Sequence, residues 1–174
     1  MGIDLGGLLQ QYLGGGTAPN ADAADHFHQV AQNAPAEQVS AGLAAAFRSD
    51  QTPPFGQMVA QLFSQASPQQ QAAMLSQLLG SISPAALAAL TGSGALAGLA
   101  GRGDTPTGSV SAQDVARVTP EQVQQIASHA EQHNPGIIDK MSGFYAEHPG
   151  LVKTLGGAAL TIALAKIANG MKGS

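Results

Sequence analysis

His129 and His133 lie four residues apart in a segment that reads as helix, and that spacing puts two imidazoles on one face. Such a pair holds a transition-metal ion when a third and a fourth donor complete the shell. His148 and Asp139 are the nearest further donors, and no spacing rule connects them to the pair. The metalloprotease pattern HExxH is absent, because Ala130 follows His129. The plainer reading is a polar helix edge, with His133 near a C-terminus where an imidazolium interacts favourably with the helix dipole. His26 and His28 are two apart, which separates them by about 200° on a helix, so they do not share a ligand.

Other chemistries find less support. Asp25 beside His26 forms no catalytic arrangement by itself, and no strand-turn-helix nucleophile elbow accompanies a serine. Gly92-Ser93-Gly94 resembles the start of a dinucleotide fingerprint but follows no strand pattern and has no lysine beside it. Arg102-Gly103-Asp104 reads as a coincidental tripeptide in a linker. The chain contains no cysteine, which removes disulfides, thiolate zinc sites and cysteine nucleophiles together. The expectation is a protein that is not an enzyme and needs no cofactor. A metal-binding module at His129 and His133 is the third of three hypotheses.

The elements that would carry these residues are helices. Of 174 residues 44% are hydrophobic but only 4% aromatic, and the apolar content is mostly Ala and Leu, which suits helix packing better than a sheet. Charged residues make up 10%, against about a quarter in most domains, and the net charge is -4. Asp4, Asp22, Asp25, Glu37 and Asp50 face Arg48 alone in residues 1–92. No basic stripe exists to neutralise a phosphate backbone, so no nucleic-acid partner is expected.

Leu5, Leu8, Leu9, Tyr12 and Leu13 follow the i, i+3, i+4, i+7, i+8 pattern of a short amphipathic helix, ended by Gly14-Gly15-Gly16. A helix this short must dock on something, and these five residues are candidates for partner or membrane contact. The chain then repeats one device, a capping residue followed by Pro and an Ala/Leu/Gln helix: Thr52-Pro53, Ser67-Pro68, Ser83-Pro84, Thr119-Pro120 and Asn134-Pro135. Ser67 with Gln70, and Thr119 with Gln122, have capping-box spacing. Residues 91–110 are rich in Gly, Ser and Thr and read as a flexible linker. The expected fold class is all-α, with two small helical bundles joined by that linker. Residues 1–19 form the N-terminal helix and loop, 20–90 the first module, and 111–174 the second.

Residues 151–171 form the most hydrophobic stretch, read as one terminal helix opened by His148-Pro149. At 100° per residue Leu151, Leu155 and Ile162 share one sector, while Leu160, Leu164, Ile167 and Met171 cluster opposite, so the helix is apolar all round. That suits a core or a membrane. Lys166 lies near the middle, and the clear window 154–165 is about 18 Å long, short of a bilayer core of about 30 Å. The expected role is the buried strut of a bundle formed with the two helices before it. Leu160, Leu164 and Ile167 remain candidates for contact with a partner or a membrane.

The start of the chain offers no secretory signal, since Gly2-Ile3-Asp4 has no positive region and Gly6-Gly7 breaks the apolar run. Gly6 also stands where a myristoylation motif wants Ser or Thr. A cytoplasmic location is expected, with membrane association as the alternative. The run Leu8-Leu9-Gln10-Gln11-Tyr12-Leu13-Gly14-Gly15-Gly16, opening an Ala/Gln/Leu-rich chain, resembles the YidB-like group of small bacterial proteins of unknown function. The phrase Phe47-Arg48-Ser49-Asp50-Gln51-Thr52-Pro53-Pro54-Phe55-Gly56-Gln57 looks like an element of other bacterial proteins. The resemblance implies a bacterial helical protein and contributes no site residues. The expected function is non-enzymatic action through protein contacts, as a scaffold, adaptor or accessory subunit with a protein partner or as a homo-oligomer. A protein anchored to a membrane surface through its C-terminal or N-terminal helix is the alternative.

Overall fold

A computed structural model of the chain describes residues 6, 7, 10, 20–94, 96, 99 and 110–173. The chain is all-α, with no strand among the described residues. The helices are α1 (Asn20–Asn33), α2 (Ala36–Phe47), α3 (Phe55–Gln65), α4 (Pro68–Gly80), α5 (Pro84–Gly92), α6 (Ala112–Val115), α7 (Pro120–His133), α8 (Ile137–Glu147), α9 (Pro149–Val152) and α10 (Gly157–Lys172). Leu5, Leu8, Leu9, Tyr12 and Leu13 lie outside the described residues.

Side-chain caps start several of these helices where the Ser/Thr-Pro signals fall. Ser67 Oγ accepts from Gln70 N at 3.4 Å while Ser67 N donates to Gln70 Oε1 at 3.1 Å. Thr119 and Gln122 repeat this at 3.3 and 3.0 Å, and Ser83 Oγ accepts from Ala86 N at 3.4 Å. Each cap satisfies backbone N–H groups that the first turn leaves without a partner.

The helices fall into two compact units, Met1–Pro53 with Ser142–Ser174, and Pro54–Met141. This is not the division into 20–90 and 111–174 expected from the sequence. The described residues of the Gly-rich stretch 91–110 (91–94, 96, 99 and 110) lie within the second unit, and the rest is outside the described residues. Val110 N at its far end donates to Ser76 Oγ of α4 at 3.1 Å. The boundary after Met141 falls inside α8.

In the first unit α10 packs on α2 and α1, and α9 packs on α1. In place of the expected bundle of 111–174, α9 and α10 pack with α1 and α2. Gly42 is the physical reason: a Cβ there would lie 2.7 Å from the Ala163 carbonyl oxygen and 2.7 Å from Ile167 Cγ1, so the bare glycine lets the two backbones approach. The terminal apolar stretch is also not one helix. It breaks at 153–156, where Thr154 Oγ1 donates to the Leu151 carbonyl at 2.8 Å, and α10 restarts with Gly156 as its N-cap. Consecutive Gly156 and Gly157 disfavour helix continuation.

After the break, α10 buries one face only, formed by Ala159, Leu160, Ala163, Leu164, Ile167 and Ala168. Ala158, Lys166 and Asn169 are exposed, and Ile162 and Met171 are half-buried. Among the described residues no single helix is long and apolar enough to cross a membrane. In the second unit α3 packs on α7 and α4, α4 packs on α6 and α7, and α5 touches α7.

Tyr145 of α8 is fully buried, with ring centroids 5.8 Å from Phe47 and 5.6 Å from Phe144. Its hydroxyl has no hydrogen-bond partner, and burial pushes its ionisation well above the usual phenol range. A buried hydroxyl without a partner costs about 1–3 kcal/mol, so Tyr145→Phe is expected to hold stability level or raise it by about 1 kcal/mol in urea unfolding. A second consequence concerns pH. Below about pH 10 both folded and unfolded chains keep this proton, and the group adds no slope. Above it the unfolded chain releases the proton first, and stability falls by about 1.4 kcal/mol per pH unit. The phenylalanine variant lacks that contribution, so its stability should fall less steeply; equal slopes above pH 10 would contradict the assignment.

Candidate functional site: a polar groove between α5 and α7

Helix α7 has two working faces. Val123, Ile126, Ala127 and Ala130 are buried. Gly56 marks a close approach of α3 to α7: a Cβ there would collide with Ser128 Oγ and lie 2.7 Å from the Gln124 carbonyl oxygen. The absence of a side chain at Gly56 is therefore what lets α3 and α7 pack at this distance.

Beside that contact α7 faces α5 across a groove of about 500 Å³. The α7 wall is Glu121, Gln124, Gln125, Ser128, His129 and Gln132, and the facing wall is Ala89, Leu90 and Ser93. Two side chains tie the ends. Gln122 Nε2 donates to the Gly94 carbonyl just past α5 at 3.4 Å, and Asn134 Nδ2 donates to the Ser81 carbonyl just before α5 at 3.3 Å. The two helices thus run in opposite directions, linked at both ends and open between. Gly94 turns the chain out of α5 at φ 81°, a left-handed conformation that favours glycine.

His129 stands in this wall half-buried, with Nε2 buried and without a hydrogen-bond partner. Its ring lies edge-on to His133 with centroids 4.5 Å apart, and His133 is exposed. The spacing expected from the sequence does bring the two rings together. Among the described residues no group of three His, Cys, Asp or Glu is placed to hold a metal ion. His148, the further donor considered from sequence, stacks on Phe144 with Nδ1 2.9 Å from the Phe144 carbonyl oxygen.

The contact candidates on the terminal helix are inside the protein: Leu160 is 1% exposed, and Leu164 and Ile167 are 0%. Sequence reasoning missed the groove. Its trace in the sequence is the uncharged polar stripe of Gln124, Gln125, Ser128 and Gln132 on one side of α7. No family model, curated protein or solved structure matches the chain.

Proposed function

We propose that the protein acts through contacts with another polypeptide rather than by catalysis, and that the α5/α7 groove is the surface it uses. The observation that carries this reading is the chemistry of the wall: three glutamine amides, each able to donate and accept, beside an Ala-Leu patch. Uncharged groups that recognise both donors and acceptors suit a peptide surface. The titratable groups of the lining are Glu121 and His129, eight residues apart on one helix and so about 12 Å apart along its axis. Concerted proton transfer needs groups within about 3 Å of the reacting atoms, which favours recognition over acid–base chemistry here. Scaffold, adaptor and accessory-subunit roles all follow from such a surface.

Gln125 and Gln132 are exposed, so Gln125→Ala with Gln132→Ala should keep the fold. The tagged wild-type chain, purified from its own cells, is expected to carry a protein in stoichiometric amount or to self-associate in light scattering. The double variant should retain about tenfold less of it. A strict monomer with nothing bound, or equal retention by the variant, would contradict the proposal.

A further inference from the structure

We propose that His129 and His133 chelate one divalent transition-metal ion at the C-terminal turn of α7, with water completing its shell. The site stands whether or not the groove is a contact surface. The two rings already lie at the separation such an ion imposes. An ion about 2.0–2.1 Å from an imidazole nitrogen lies about 3.2 Å from that ring's centroid. Two imidazoles set at about 90° on one ion then have centroids about 4.5 Å apart, and at the wider tetrahedral angle about 5.2 Å. The rings of His129 and His133 are 4.5 Å apart with an interplanar angle of 66°. That separation fits the right-angle geometry of Cu²⁺ or Ni²⁺ rather than tetrahedral Zn²⁺.

The surroundings favour a cation as well. His129 Nε2 is buried and without a hydrogen-bond partner, so coordination there breaks no existing bond. His133 is exposed, so its ring adjusts to the ion without moving the core. Helix α7 ends at His133, where the helix dipole favours positive charge. The groove lining beside His129 contains no lysine or arginine to repel a cation. Among the described residues no third His, Cys, Asp or Glu completes a group with the pair. Two imidazoles and water bind Cu²⁺ ahead of Zn²⁺ in the Irving–Williams order, the same direction as the ring geometry.

The test titrates the tag-free full chain, first stripped of metal with a chelator, with Cu²⁺ and separately with Zn²⁺. Calorimetry reads affinity, and electron paramagnetic resonance of the Cu²⁺ form reads the ligands. One Cu²⁺ per chain, coupled to two imidazole nitrogens and bound about tenfold or more tightly than Zn²⁺, is expected. His133→Ala, at an exposed position, should weaken binding about tenfold or more while the circular dichroism stays that of wild type. His26→Ala, in the other unit, should leave binding unchanged. Coupling to a single imidazole, equal affinity in His133→Ala, loss of the site in His26→Ala, or Zn²⁺ bound as tightly as Cu²⁺ would overturn the proposal.

Discussion

Replacing Gly56 with valine is expected to lower the stability of the unit Pro54–Met141 by about 3 kcal/mol and to abolish whatever the groove binds. A Cβ at Gly56 meets the Gln124 carbonyl at 2.7 Å and the Ser128 amide nitrogen at 3.2 Å, besides the Ser128 hydroxyl. Two of these are helix backbone and cannot rotate away, so α3 and α7 must separate. Gln124 and Ser128 belong to the groove wall, and their displacement changes its shape. Alanine should cost less, because its better helix propensity returns up to about 1 kcal/mol over glycine. Urea unfolding with a midpoint equal to wild type would show that the close approach at Gly56 carries no weight.

Leu164→Ala is expected to cost about 3 kcal/mol, the usual range for emptying a fully buried leucine site. This variant separates two readings of the terminal helix. If Leu164 served a partner or a bilayer instead of its own unit, the purified chain would unfold at the wild-type urea midpoint. If it belongs to the core, the loss appears in isolated protein with no partner present. Its neighbour Lys166 is exposed, so Lys166→Ala should change stability by no more than about 0.5 kcal/mol.

Three helix starts were legible in the sequence because capping is local chemistry, whereas Thr52 caps nothing and donates to the Ala46 and Ser49 carbonyls, and Asn134 ends α7. The Ser67/Gln70 and Thr119/Gln122 boxes and the Ser83 cap each involve residues three apart, and three apart is what a sequence displays. Which helix packs on which was not legible. Short connections favour neighbours, yet α10 lies on α2, because Gly42 opens α2 to close approach. The only trace is a glycine in mid-helix, where intrinsic propensity disfavours it by up to about 1 kcal/mol relative to alanine.

The terminal stretch was misread for a related reason. Taken as one helix, 151–171 is apolar all round, whereas α9 ends at Val152 and α10 starts after the turn 153–156 with Gly156 as its N-cap. With that break in place the all-round apolar helix becomes one with a single buried face. The groove escaped because a row of Gln and Ser on a helix looks like any solvated surface. Only the placement of Ala89 and Leu90 opposite turns the row into a wall.

The central claim, that the protein touches another polypeptide through the α5/α7 groove, is tested most directly by a photo-crosslinking residue at Gln125 in living cells. Glu37 on α2, exposed and in the other unit, serves as the control position. The account predicts one discrete protein adduct from position 125 that is absent from position 37 and lost when Gln132→Ala is added. No adduct from position 125, or the same adducts from both positions, would contradict it.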